Sequence, residues 1–122
     1  MISPFIDNTP VHCTGAAIDI SLFKNDKLLD MGKFDVIFGV NNQQETFSNN
    51  INDEQKNNRI ILLKAATKAG LVNYGYEWWH YSYGDKVWAF VKNQKSAKYG
   101  LAEDQNNAIL KIDKKNYIDS MK

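Results

Sequence analysis

Residues 52–70 constrain the fold most, because they carry both ends of a helix as well as its middle. Asn52 is a good N-cap, and Gln55 stands three residues on, where its side chain completes a capping box. Ile60, Leu63 and Thr67, with Ile61, Leu62, Ala65, Ala66 and Ala69, give the segment broad apolar coverage. Gly70 suits the position just past a helix end, where the backbone turns left-handed. A helix of this kind needs an apolar surface to cover.

The neighbouring segments read at a period of two. In residues 16–23, Ile18, Ile20 and Leu22 alternate with Ala17, Asp19, Ser21 and Phe23, which predicts a strand with one apolar face. Asn25-Asp26 marks a turn. Residues 34–40 fit a short strand or a loop, and 71–74 a strand. Residues 79–83 and 86–91 are rich in aromatic and β-branched side chains and flank Gly84-Asp85, which predicts a β-hairpin. Helix and strands follow no regular βαβ rhythm. The expected class is α+β, a small antiparallel sheet with one main helix packed on it. Pro4 and Pro10 make the entry extended or looped. Residues 41–58, rich in Asn and Gln, read as a long, mobile loop, with 41–44 either a lid or a plain flexible segment. Residues 102–122 are mostly polar, with Ile109, Leu110, Ile112 and Ile118 as aliphatic anchors. One domain over 1–101 and a tail over 102–122 are therefore expected.

The composition narrows the function classes. A chain of 122 residues with 43% hydrophobic residues can bury a real core. Fifteen basic residues against 14 acidic leave a net charge of +1, which excludes a strongly basic nucleic-acid or membrane-surface binder. Cys13 is the single cysteine, so neither a disulfide scaffold nor a multi-cysteine zinc site is available. No apolar run approaches the roughly 20 residues of a membrane span. Residues 1–5 show no basic region leading into an apolar stretch, and a cytoplasmic location is the simplest expectation.

Two histidines focus the chemistry. His12 lies seven residues before Asp19, and His80 three residues after Glu77. Two imidazoles and a carboxylate form a three-ligand set that leaves a catalytic zinc one open position. A second carboxylate could take a proton from water held there. The same set suits Fe(II), and two ordinary hydrogen-bonded histidines would also account for the pattern. Geometry sets a condition. An odd separation on a regular strand puts His12 and Asp19 on opposite faces, so the chain must bend between them, most easily at Gly15. Glu77 must likewise lie in the loop entering its strand, with Gly75 allowing the approach. Most of the aromatic residues from Tyr74 to Trp88 are expected in core and hairpin packing, with one or two near Glu77 available as a stacking wall. Cys13 reads as a small buried residue. Lys92, Lys95 and Lys98 read as a solvated surface.

Residues 12–19 fit H-x-x-G-x-A-x-D and residues 77–80 are E-W-W-H. Between them stand Met31-Gly32-Lys33-Phe34-Asp35, Asn58-Arg59 and Ala69-Gly70-Leu71-Val72-Asn73-Tyr74. Trp88-Ala89 and Tyr99-Gly100 follow. In this order the motifs resemble the C-terminal half of VanX-type D-alanyl-D-alanine dipeptidases, over about residues 3–101. The resemblance implies one zinc ion on His12, Asp19 and His80, at the sheet. It implies Glu77 as general base and then general acid, and Asp35 as the residue that recognises the substrate's ammonium group. The implied reaction is hydrolysis of D-Ala-D-Ala in cell-wall peptide metabolism. A murein endopeptidase or carboxypeptidase of related fold, or a zinc-binding remnant that holds D-amino-acid peptides without cleaving them, are the alternatives. The family also carries a catalytic arginine ahead of the His motif. The sole arginine here, Arg59, matches a helix position instead, and Pro10 stands where family members offer a serine hydroxyl. A truncated form is therefore expected. It would act with a second copy or a separate chain bearing the first half, or alone with Lys24, Lys33 or Arg59 at the developing oxyanion.

Overall fold

The computed structural model describes residues 10–34 and 42–101. A 3-10 turn, Val11–Thr14, leads into β1 (Ala17–Asp19), followed by β2 (Phe23–Lys24) and β3 (Lys27–Leu28). Helix α1 (Asp53–Lys68), β4 (Val72–Asn73), β5 (His80–Ser82) and helix α2 (Lys86–Val91) complete the chain order. The architecture is the expected α+β. β5 is the central strand of a three-stranded antiparallel sheet, with β1 on one side and β4 on the other. β2 and β3 form a separate hairpin. Its turn falls on Asn25 and Asp26, both at positive φ (52° and 60°), as a tight two-residue hairpin requires.

Helix α1 starts and stops where its sequence says. The Asn52 side chain accepts the Gln55 N–H at 2.8 Å, and Gln55 Oε1 accepts the Asn52 N–H at 3.1 Å. At the other end Gly70 takes φ +89°. Its N–H reaches Thr67 O and the Leu71 N–H reaches Ala66 O, each at 3.0 Å, which caps two carbonyls the helix leaves open. The buried stripe is narrower than the apolar sequence suggests. Asn58, Arg59, Leu62 and Ala66 face inward, while Ile60 and Ile61 are exposed. Leu62 and Ala66 meet Met31, Trp78, Trp79 and Tyr81 in the core, with Ile20, Leu22, Leu29, Leu63 and Leu71 around them.

Three sequence expectations change. Residues 86–91 form helix α2, not the second arm of a hairpin. Both edges of β5 are already taken by β1 and β4, so no strand partner remains for them. Asp85 instead caps a helix, its Oδ1 accepting the Trp88 N–H at 2.9 Å. The strand expected over 16–23 stops at Asp19, and Ile18 is exposed while Ile20 and Leu22 pack on the core. The loop before α1 ends at Asn52, and its described part is pinned. Gln44, Thr46 and Ser48 are buried, the Trp78 N–H donates to Gln44 O, and the Thr46 N–H to Gly75 O. Among the described residues, no helix is long and apolar enough to cross a membrane. Asp35, the segment 35–41 and the tail 102–122 lie outside the described residues.

Candidate metal centre

The bend that the spacing demands is present. The 3-10 turn carries His12, Gly15 follows at φ +70°, and its N–H closes on His12 O at 3.2 Å. Thr14 tightens the turn, its Oγ1 donating to Val11 O at 2.6 Å and accepting the Ala16 N–H at 3.1 Å. The chain then enters β1, and Asp19 pairs in register with His80 on β5. His12 folds back so that its ring lies edge-on to that of His80, with centroids 4.7 Å apart.

Glu77 sits in the turn between β4 and β5, as expected. Its N–H donates to Tyr74 O at 2.8 Å. Asn73 fixes both ends of this turn, Nδ2 donating to Glu77 O and to His80 O, each at 3.0 Å. Gly75 is not required for the approach, since a Cβ there would meet open space.

These elements converge on one point. His12 Nε2 and His80 Nδ1 each lie 3.4 Å from Asp19 Oδ1, and Glu77 Oε2 is 3.7 Å from His80 Nδ1. One ligand atom from each of His12, Asp19 and His80 lies within 4.8 Å of the others. Donors bound tetrahedrally to zinc at 2.0–2.1 Å stand roughly 3.3 Å apart, so this set fits such an ion. Side-chain exposure rises from 3% at His80 through 15% at Glu77 to 37% at Asp19 and 49% at His12, so the site opens at the His12 side. Burial, and then the charge of Asp19, raise the pKa of the Glu77 carboxyl, with His12 opposing. Burial, and then His12, lower that of His80, against Asp19 and Asp85. Two carboxylates and two imidazole nitrogens facing one another favour a cation between them.

A cleft of about 640 Å³ opens over this point, walled by Phe34, Tyr74, Trp79, Lys86 and Val87. Arg59 does not reach it. Its Nε, Nη1 and Nη2 donate to the carbonyls of Met31, Glu45 and Gln43 at 2.7, 2.7 and 2.8 Å. Neither Lys24 nor Lys33 lines the cleft, whereas Lys86, which sequence reasoning passed over, does. Cys13 is exposed rather than buried and stands outside the ligand cluster. Sequence reasoning also missed Ser82, whose Oγ lies 3.2 Å from His80 Nε2. The signal was there: on a strand, the second residue after His80 shares its face. Asn73 stood within one of the family motifs, but nothing there marked its side chain as the brace of the Glu77 turn.

Comparison with known proteins agrees with the motifs. The sequence profile of the D-Ala-D-Ala dipeptidase family, peptidase family M15, matches residues 4–99. A D-alanyl-D-alanine dipeptidase of Synechocystis sp. (strain ATCC 27184 / PCC 6803 / Kazusa) is 34% identical over 110 residues, covering 77% of this chain. The match spans 44% of that protein, so this chain corresponds to less than half of its relative's length. With residues 4–99 matched and the motif residues of both histidine segments brought together, the chain belongs to the D-Ala-D-Ala dipeptidase family of peptidases.

Proposed function

We propose that the chain carries the zinc centre of a metallodipeptidase acting on D-Ala-D-Ala. The observation that supports this most is the convergence of His12, Asp19 and His80 donors beside Glu77 at the base of a cleft. His12, Asp19 and His80 would hold the ion, which when bound would supply Lewis acidity for the hydrolysis. Glu77 does the proton work. Its carboxylate takes a proton from water as the new C–O bond forms, then hands that proton to the departing amine as the C–N bond breaks. The raised pKa of Glu77 suits both halves of this transfer. Asp35 receives the substrate's ammonium group by a charge-assisted hydrogen bond. Trp79 and Phe34, with ring centroids 4.5 Å apart, form an apolar wall that limits water.

The test is release of D-alanine from D-Ala-D-Ala by the purified, zinc-loaded chain, with Glu77→Gln as control. Release is expected, falling about 10²–10⁴-fold in the variant while zinc stays bound. A folded, zinc-loaded chain that releases nothing overturns the reading for this chain acting alone.

One feature favours a longer cell-wall peptide as a second reading. A groove lined by Asn73, Tyr76, Phe90 and Val91 shares Tyr74, Lys86 and Val87 with the cleft. Faster cleavage of a murein tetra- or pentapeptide than of the dipeptide would establish it.

A further inference from the structure

Of the three ligand candidates, His80 has the least freedom. Its side chain is 3% exposed, and both ring nitrogens face polar partners. Nδ1 looks toward Asp19 and Glu77, while Nε2 lies 3.2 Å from Ser82 Oγ. Ser82 has no solvent exposure. The sheet places it, because Ser82 pairs with Ala17 on β1 and with Val72 on β4. Its hydroxyl is therefore aimed by backbone on both sides of β5.

We propose that Ser82 is a positioning residue of the metal centre: its hydroxyl holds His80 Nε2, so that Nδ1 is the nitrogen presented to the ion. This rests on the metal reading given above. A neutral imidazole has one N–H and one lone pair, and a partner on one nitrogen decides the state of the other. An ion at Nδ1 needs the lone pair there and the hydrogen on Nε2. That N–H is shut away from water, and Ser82 Oγ is its acceptor. A hydroxyl can also donate, so without an ion it serves Nε2 equally while an Nδ1–H faces Asp19. One serine thus satisfies the buried nitrogen in both states. Without the hydroxyl, ion binding would strand a buried N–H, and the cost would fall on metal affinity.

The experiment measures zinc affinity by competition with a chromophoric chelator in the wild type and in Ser82→Ala, Ser82→Thr and Ser82→Val. Thr and Val share one shape, so their difference isolates the hydroxyl from packing. Ala and Val are expected to bind zinc about 10- to 100-fold more weakly, and Thr close to the wild type. In the zinc-loaded wild type, proton NMR is expected to show a slowly exchanging His80 Nε2–H that is lost in Ser82→Ala. Equal affinity in Thr and Val, or in the wild type and Ala, overturns the role of Ser82 alone. A folded wild type that binds no zinc overturns the metal reading and this inference together. Circular dichroism identifies any variant that fails to fold, and the wild type–Ala and Thr–Val pairs decide independently.

Discussion

Two polar clusters lie within this small fold, one around Arg59 and one around His80. At Arg59, which is 1% exposed, three N–H groups meet three backbone carbonyls, and the Trp78 ring lies 5.5 Å from the guanidinium carbon. Burial lowers its pKa to about 10, with Asp30 opposing, which leaves it charged at neutral pH. Each guanidinium nitrogen has an acceptor there, and the cluster staples residues 31, 43 and 45 to helix α1. At His80 the balance differs, because two carboxylates and two imidazoles, all able to ligate a metal, converge on one point. A cluster that satisfies itself is architecture. At the second cluster, the proposed ion would complete what the side chains leave open.

The largest test of this contrast is Arg59→Met, which leaves three carbonyls without their donor. At about 1 kcal/mol or more for each buried carbonyl left unpaired, it is expected to cost about 3–5 kcal/mol in urea unfolding. A loss under about 1 kcal/mol would remove the distinction. Next comes the metal itself. Zinc at 100 times its dissociation constant is expected to stabilise the wild type by about 2.7 kcal/mol. Asp19→Asn should lose that gain without weakening the metal-free chain, a combination that chelator and thermal-melt measurements can read.

Tyr81 sharpens the contrast from a third side. It lies on β5 between His80 and Ser82 and faces the core, and its hydroxyl has no partner among the described residues. Burial pushes its pKa up to about 12 from 10.0. The folded value stands above the unfolded one, so this stability is whole below pH 10 and drains away as pH climbs toward 12. About 1 kcal/mol should be gone by pH 11. Tyr81→Phe is expected to lack that alkaline loss and to match or exceed the wild type at pH 7. Melts at pH 7, 10 and 11 read the difference.

Much of the site was legible because its clues are local. His12, Gly15 and Asp19 lie within one short segment, and the need for a bend followed from strand geometry alone. The Arg59 hub was not legible, since its three acceptors come from loops with no periodicity. Residues 86–91 misled for a related reason: their β-branched and aromatic side chains favour a strand, but β5 had no free edge to offer. Ile18 and Cys13 misled because composition ranks burial by residue type, whereas the register of β1 and the 3-10 turn assigned them to the surface.

By itself, the sequence determined the limits of helix α1, the turn at Asn25-Asp26 and the identities of the candidate ligands. These depend on side chains bonding to backbone a few residues away, or on donor chemistry that each residue carries with it. Tertiary structure alone decided that Asp19 would pair in register with His80, that Asn73 would pin the Glu77 turn, and that Arg59 would be a staple. Those outcomes depend on which strands pair and in what register, a choice made by the burial of the whole core and not by any one segment.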